Sequence, residues 1–309
     1  MNILRQHYNR HGWIRNLLSP VRDLRTQYLR TQRKTRTVAF QHFISMLAED
    51  PVLEVNEFQG RFRIGRQSSI LEKLFDDGNY ELSLSTLLPR IVDPHRDAID
   101  VGANLGFYSV LLAKLLPNRR VLAFEPIAEA IDRLEHNLKL NDVTDRVIVC
   151  PSIASGASGN LEMKVVIGQE EYSTVGQMHH PRVKETDFTL RNVACTTVDS
   201  QVQANNLDPA FIKIDAEGSE FEVLNGCLVT LAKFRPVIMS EFSRELLEAN
   251  GASTNDVIEL VTKLDYVAVD PSHPKELFYS KDYGDVFLVP NELHKKFVDS
   301  ICTYQASLT

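Results

Sequence analysis

The stretch Ala98-Ile99-Asp100-Val101-Gly102-Ala103-Asn104-Leu105-Gly106 decides the fold of this chain. Its apolar start predicts a buried strand, its glycines predict a tight turn, and the residues from Phe107 to Leu116 continue with helical spacing. A second predicted strand, Arg120 to Phe124, leads into Glu125, which lies nineteen residues after Gly106. A glycine turn at a helix start, with a carboxylate at the end of the next strand, is typical of an α/β domain that binds a nucleoside.

Composition fits a globular protein that works in a reducing compartment. The 309 residues are 43% apolar and 24% charged, which is ordinary for a folded domain and argues against disorder. No run approaches the roughly 18 apolar residues that span a bilayer, and the N-terminus lacks the apolar segment of a signal peptide. The four cysteines are far apart and form no Cys-x-x-Cys pair, which argues against a zinc ribbon or a disulfide scaffold: Cys150, Cys195, Cys227 and Cys302. We therefore expect a cytoplasmic protein.

The charge is unevenly distributed along the chain. The net charge is −7, yet residues 1–36 hold nine Arg and Lys against the single acid Asp23, or about +8, which leaves about −15 for the remainder. Apolar residues such as Trp13 and Leu17 are interleaved with these cations. Such a segment can pack as a helix on its own acidic domain, or it can contact an anionic membrane surface or an acidic partner. Nothing in it matches a module that reads nucleic acid, so we expect no nucleic-acid partner.

The rest of the pattern divides the chain into three parts. Residues 1–95 predict a basic, mainly helical N-terminal extension and cap, with a short β unit at 52–64. Residues 96–295 alternate strands and helices, which is the pattern of a sheet covered by helices. The last two strands of the seven, at 266–269 and 286–289, are joined by a loop instead of a helix, so we expect the final strand to be antiparallel. Residues 168–187 predict a surface loop, and 296–309 a C-terminal tail.

The glycine turn differs from the dinucleotide fingerprint Gly-x-Gly-x-x-Gly. Asn104 occupies the position of the second glycine, where the backbone of a dehydrogenase approaches the pyrophosphate. A ligand without a pyrophosphate, such as S-adenosylmethionine, needs less open space there. The alternatives are an NAD(P)-dependent oxidoreductase and a non-catalytic cofactor-binding protein targeted by its basic N-terminus.

Five short motifs then resemble the FkbM family of S-adenosylmethionine-dependent methyltransferases. They cover about residues 75–290 in the order of the family: Gly78-Asn-Tyr-Glu81, Ile99-Asp-Val-Gly-Ala-Asn-Leu-Gly-Phe-Tyr-Ser109, Phe124-Glu-Pro126, Ile212-Lys-Ile-Asp-Ala-Glu-Gly-Ser-Glu220 and Ser240-Glu-Phe242. The resemblance implies a class I methyltransferase fold, a doubly wound seven-stranded sheet. It also implies O-methylation of a hydroxyl on a small metabolite or a glycan.

The resemblance also implies a cofactor site. The residues expected to line it are Asp100, Gly102, Ala103, Asn104, Gly106, Phe107 and Pro126. Glu125 would bind the ribose of the cofactor. Ser152 and Ile153 would face the adenine, where many class I enzymes have an acidic residue instead of Ser152.

The reaction centre is predicted where the strand Phe211 to Ile214 ends. Ligands bind outside the carboxyl ends of strands in such sheets, so Asp215 and Glu217 are the catalytic candidates. A hydroxyl acceptor loses its proton as it attacks, and either carboxylate can take that proton or orient the acceptor. Asp215 has a second candidate role, a hydrogen bond to the cofactor's amino group.

Other polar residues are weaker candidates. Tyr80 and Glu81 of the cap, and Glu241 on the next strand, are substrate candidates. Asp215, Glu217 and Glu241 offer the hard oxygen ligands of Mg²⁺, although the spacing does not establish convergence and we expect no metal. His179-His180 fits an exposed pair better than a base, and Glu220 and Glu222 fit solvated helix positions.

Overall fold

A computed structural model describes residues 34–175, 188–276, 278 and 282–307. The chain forms two compact units, residues 1–49 and 50–309. In the first unit a helix covers residues 34–46, in agreement with the helical prediction. The predicted helices before residue 34, the basic segment up to that residue and the His179-His180 pair lie outside the described residues.

The second unit begins with the cap, which packs in the same unit as the sheet. The cap contains a β-hairpin and three helices: β1 (Val52–Val55), β2 (Gly60–Arg63), α1 (Ser69–Asp77), α2 (Leu82–Ser85) and α3 (Leu88–Ile91). Helix α1 begins because the Ser68 side chain accepts a hydrogen bond from the backbone N–H of Ile70. It ends at Gly78, whose φ of 72° is readily adopted only by glycine.

Strands and helices then alternate as predicted. The strands are β3 (Asp97–Val101), β4 (Val121–Phe124), β5 (Val147–Cys150), β6 (Ile153–Ala154), β7 (Gly159–Val165), β8 (Thr189–Thr196), β9 (Pro209–Ile214), β10 (Val237–Ser243), β11 (Tyr266–Val269) and β12 (Tyr283–Pro290). The helices are α4 (Phe107–Leu115), α5 (Ala128–Leu140), α6 (Val198–Ala204), α7 (Glu220–Asn225), α8 (Leu228–Phe234), α9 (Arg244–Ala249), α10 (Thr254–Lys263) and α11 (Asn291–Ala306). No helix within these described ranges is long and apolar enough to cross a membrane.

The central sheet has seven strands in the order β11-β12-β10-β9-β3-β4-β5. The pairs from β10 to β5 are parallel, whereas β12 is antiparallel to both of its neighbours. This confirms the predicted class I methyltransferase architecture and the antiparallel last strand. Strands β3 and β4 are buried at every position, because helices cover both faces of a parallel sheet.

The order of the strands reverses between β3 and β9. From β3 the chain moves outward through β4 and β5, and it later returns to add β9 and β10 on the other side. The loops after β3 and β9 therefore part at the carboxyl edge, and a crevice forms there.

The structure differs from the sequence prediction in four places. The sequence from about Ser219 to Leu231 predicts one helix, but the structure has two, α7 and α8, and the short helix α9 has no counterpart in the sequence prediction. Strands β6, β8 and β7 form a second, three-stranded sheet. The segment expected to be a C-terminal tail is mostly helix α11, which packs on β12 through the buried side chain of Phe297.

Candidate active site

A cavity of about 530 Å³ lies at the carboxyl edge of the central sheet. It is lined by eleven of the residues singled out from the sequence: Tyr80, Glu81, Gly102, Asn104, Glu125, Pro126, Ser152, Ile153, Asp215, Glu217 and Glu241. The cavity thus brings together the glycine loop, the carboxylate after β4, the loop after β9 and the cap. Four other candidates lie beside the cavity without lining it: Asp100, Ala103, Gly106 and Phe107.

The glycine loop turns sharply because three of its residues have positive φ. Gly102 has a φ of 77°, Asn104 of 47° and Gly106 of 86°. The N–H groups of Gly102 and Ala103 both donate to the carbonyl oxygen of Phe124, which holds the loop against β4. A Cβ atom at residue 102 would collide with the backbone carbonyl oxygen of Asp215, and one at residue 106 would lie 2.5 Å from Leu134. Close packing against β9 and α5 therefore requires both glycines.

Glu125 lies under the loop as a buried carboxylate. Its Oε2 accepts a hydrogen bond of 2.8 Å from the N–H of Asn104, and its Oε1 accepts one of 2.9 Å from that of Ile127. Burial raises the pKa of Glu125 to about 7, although these two hydrogen bonds oppose the rise. Each carboxylate oxygen keeps a second lone pair that can accept from a ligand hydroxyl.

Lys213 lies between two aspartates behind the loop. Its Nζ is 3.2 Å from Oδ2 of Asp215 and 3.9 Å from Oδ1 of Asp100. Asp100 is completely buried, and its Oδ2 accepts a 2.6 Å hydrogen bond from the Ser109 hydroxyl. Burial raises the pKa of Asp100 and would by itself lower that of Lys213, but the carboxylates of Asp215 and Asp100 raise the pKa of Lys213 overall.

Two further glutamates line the cavity, Glu217 in the loop after β9 and Glu241 on β10. Burial raises the pKa of Glu217, and the negative charges of Asp215 and Glu241 raise it further. Burial, followed by the charge of Asp215, raises the pKa of Glu241 to about 7. Glu217 also has a φ of 46°, a strained conformation for a residue with a side chain.

The prediction that Glu220 is a solvated helix residue is wrong. Its side chain is 3% exposed, and its Oε1 accepts hydrogen bonds from the N–H groups of Ala216 and Gly218 at 3.2 and 3.1 Å. The residue therefore holds the loop that carries Glu217, because its carboxylate occupies the turn before α7. Burial raises its pKa to about 7. Glu222, in contrast, is exposed as predicted.

The cap contributes an aromatic wall. The ring of Tyr80 stacks on Phe107 with centroids 5.5 Å apart, and its backbone N–H donates to Glu57 at 2.5 Å. The Tyr108 hydroxyl donates a 2.5 Å hydrogen bond to Glu81, which has a φ of 48°. Burial, and then the charge of Glu81, raise the pKa values of Tyr80 and Tyr108 well above the usual range, so both remain neutral. Phe107 is thus part of the wall that positions Tyr80.

The segment after β7 is not simply a surface loop. Glu170 is buried and pairs with Arg133 at 2.8 Å. Glu171 accepts from the N–H of Ser69, at 2.7 Å, at the start of α1. Residues 170–175 line the cavity, whereas residues 176–187 lie outside the described part of the chain. The roles of Glu170 and Glu171 could not be predicted from their polar, aperiodic surroundings, because their partners lie 37 and 102 residues away along the chain.

Asn137 of α5 is a supporting residue that the sequence did not indicate. It is completely buried, and its amide accepts from the N–H of Arg63 at 2.7 Å and donates to the carbonyl of Leu105 at 2.8 Å. It therefore ties the cap hairpin to the glycine loop. The sequence could have indicated this role, because an Asn at a buried position of an amphipathic helix needs hydrogen-bond partners for its amide.

Within the described ranges, no group of three or more His, Cys, Asp or Glu side chains has the geometry to hold a metal ion. Asp215, Glu217 and Glu241 line one cavity but do not form such a group. The described cysteines are free, with Cys150, Cys195 and Cys227 buried.

Comparison with known proteins gives the family. The family model of the methyltransferase FkbM domain matches residues 100–268, more than half of the chain. The methyltransferase sdnD of Sordaria araneosa is 26% identical over 181 residues, which are 51% of this chain and 67% of that protein. The AMB antimetabolite synthetase AmbE of Pseudomonas aeruginosa is 34% identical over 107 residues, which are 33% of this chain and 5% of that protein.

The solved structure of a methyltransferase FkbM from Methylobacillus flagellatus KT is similar with a TM-score of 0.41 and 15% identity. The similarity covers 82% of this chain and 59% of that one, so the chain spans only part of each protein compared. The extent of the family match nevertheless decides the assignment: the chain belongs to the FkbM family of S-adenosylmethionine-dependent methyltransferases.

Proposed function

We propose that the protein transfers a methyl group from S-adenosylmethionine to a hydroxyl oxygen of a small metabolite or a glycan, and that the cavity is its active site. One observation carries this proposal: a single cavity is lined by the glycine loop with Glu125 and by the carboxylates of Asp215, Glu217 and Glu241. The first set suits a nucleoside, and the second suits a hydroxyl that must lose a proton.

The chemistry of the lining fits the cofactor. Nine carboxylates and one cation, Lys73, line the cavity among the described residues. S-Adenosylmethionine carries a positive sulfonium and an ammonium group, which this negative lining attracts. The free lone pairs of Glu125 can accept from the ribose hydroxyls. The apolar side chains of Ile153 and Met163, which also line the cavity, offer a surface for the adenine.

When bound, the cofactor supplies a methyl group that its sulfonium activates. Transfer of this group would form a bond between the acceptor oxygen and the methyl carbon, break the carbon–sulfur bond and leave S-adenosylhomocysteine. The hydroxyl proton goes to a carboxylate at the end of β9, Asp215 or Glu217. The raised pKa of Glu217 makes its carboxylate a stronger base than an exposed one.

The competing functions are hydride transfer with NAD(P) and cofactor binding without catalysis. The family match supports methyl transfer over hydride transfer. For the second, the test is an activity screen with methyl-labelled S-adenosylmethionine against hydroxylated metabolites and glycans. We expect label in a product that is an O-methyl ether by mass spectrometry. Label only on nitrogen or carbon would contradict the hydroxyl acceptor, and no transfer to any acceptor despite cofactor binding would favour a non-catalytic protein.

Two further parts of the proposal concern partners. We expect the cap and residues 168–187 to select the acceptor, because both Tyr80 and residues 170–175 line the cavity. The basic residues 1–36 remain a candidate contact for an anionic membrane surface or an acidic partner. Removing residues 1–36 should weaken binding to vesicles that contain anionic lipid, and equal binding by both forms would favour a segment that packs on its own protein.

A further inference from the structure

Lys213 is a buried cation for which the proposed methyl transfer has no direct use. It is 6% exposed, and its neighbour across the sheet is Asp100, because the register pairs these two residues on β9 and β3. Asp215 lies two positions further along the chain, so its side chain points to the same face of the strand. The alternation of the strand and the register of the sheet thus place one ammonium group between two carboxylates.

The ring of Tyr108 completes the surroundings of this ammonium group. The Lys213 Nζ is 4.8 Å from the centroid of that ring, within the range of a cation–π contact. The Tyr108 hydroxyl in turn donates to Glu81 of the cap. The ammonium group is therefore fixed from three directions by β3, by the end of β9 and by α4.

Asp215 otherwise faces negative groups on the elements around it. Asp100 is on β3, Glu217 is in the same loop as Asp215, and Glu241 is on β10. Glu220 on α7 and Glu81 of the cap add to this field; the negative charge of Asp215 raises the pKa values of Glu217, Glu241 and Glu220. The Asp215 side chain is 36% exposed, so one side of its carboxylate is held by Lys213 while the other is open to the cavity.

We propose that Lys213 is a positioning residue that keeps the Asp215 carboxylate charged and oriented toward the cavity, so that Asp215 binds the cofactor's amino group and Glu217 takes the acceptor proton. The inference rests on the proposed function. It divides the two roles that the sequence left open between neighbouring carboxylates. The two carboxylates have different surroundings: Asp215 pairs with the ammonium group of Lys213, whereas burial and neighbouring negative charges raise the pKa of Glu217 and suit it to take a proton.

The test is the pH dependence of S-adenosylhomocysteine binding, measured by calorimetry from pH 6 to pH 8 on the full chain. In Lys213→Met the aspartates lose their countercharge and take up protons at higher pH than in the wild type. The quantity to compare is the ratio of the S-adenosylhomocysteine affinity of Lys213→Met to that of the wild type. We expect this ratio to fall at least tenfold from pH 8 to pH 6. Titration of Glu125, Glu217, Glu220 and Glu241 occurs in both proteins and largely cancels in this ratio.

Matched variants separate positioning from a structural role. Lys213→Arg retains the charge and should restore the wild-type pH profile. Lys233→Met removes an exposed lysine that also lies over a ring, at 4.6 Å from the centroid of Phe234, and should leave the profile unchanged. A Lys213→Met protein that binds with wild-type affinity at every pH, or loses the same factor at every pH, would overturn the proposal.

Lys213→Met can also fail to fold, because Asp100 would then be a buried carboxylate with a hydrogen bond from Ser109 but no countercharge. The double variant Asp100→Asn with Lys213→Met removes that charge and leaves Asp215 unpaired, so the same pH profile is expected, with Asp100→Asn as its control. If the wild type binds no S-adenosylhomocysteine, the proposed function fails. Carboxyl NMR of ¹³C-aspartate-labelled protein still decides the role of Lys213: the resonance that Asp215→Asn removes must titrate at higher pH in Lys213→Met.

Discussion

Replacing Gly102 by Ala tests whether the glycine loop must pack against the end of β9. Two effects add. The φ of 77° at residue 102 costs an alanine about 1–2 kcal/mol. The new Cβ atom also collides with the carbonyl oxygen of Asp215 and would lie 3.1 Å from its carbonyl carbon. Both are backbone atoms, so the collision is relieved only if the end of β9 shifts. Overpacking of this kind costs about 1–3 kcal/mol more, so we expect a loss of about 2–5 kcal/mol in the free energy of unfolding.

Gly251→Ala is the matched control. Gly251 has a φ of 82° with nothing within 4 Å of the added Cβ, so it carries the conformational cost alone. Urea denaturation of both variants, followed by calorimetry with S-adenosylhomocysteine, makes the comparison. We expect Gly102→Ala to be the less stable by at least 1 kcal/mol and to lose ligand affinity, because Asp215 is displaced, whereas Gly251→Ala retains it. Equal stability of the two variants would refute the close packing of the loop on β9.

Three further predictions follow from the site. Asn137→Ala should destabilise the protein by about 2–4 kcal/mol, more than Asn141→Ala, because Asn141 forms similar bonds to β2 where water can replace them; equal losses in urea denaturation would argue against the buried tie. Between its unfolded-state pKa of 4.5 and its folded-state pKa of about 7, the folded Glu220 side chain holds a proton that the unfolded one has lost, so stability falls as the pH rises through this range and levels off above it. Glu220→Gln should remove this loss, up to about 3 kcal/mol at pH 8, and an unchanged pH slope of stability would contradict it. Glu217→Gln should lower turnover at least a hundredfold while S-adenosylhomocysteine affinity stays within a few fold, and unimpaired turnover would exclude Glu217 as the base.

The elements around the proposed nucleoside-binding half of the site were predictable because their sequence signals are local. Each of these features can be recognised from a few neighbouring residues: the apolar run of β3, the glycines at 102 and 106, and Glu125 at the end of β4. In the structure Glu125 lines the cavity, and its carboxylate accepts a hydrogen bond from the N–H of Asn104. The antiparallel orientation of the last strand was predictable because a loop, and not a helix, joins the last two strands.

The supporting interactions were not predictable because their partners are distant along the chain. Lys213 reads as an ordinary polar residue in a strand until the register of β3 and β9 brings Asp100 beside it. Glu220 reads as a solvated helix residue until the turn before α7 folds its N–H groups onto the carboxylate. Glu171 and Asn137 likewise become informative only when the cap packs on the sheet.

Calorimetric titration of the wild-type chain with S-adenosylhomocysteine and, separately, with NADH distinguishes a methyltransferase site from a dinucleotide site. The cavity combines a loop without the second fingerprint glycine, the Glu125 carboxylate beneath that loop and a lining rich in carboxyl groups. We therefore expect S-adenosylhomocysteine to bind with one-to-one stoichiometry and to be displaced by S-adenosylmethionine, and NADH to give no heat of binding. Tight binding of NADH together with no binding of S-adenosylhomocysteine would show that the cavity is not a site for S-adenosylmethionine.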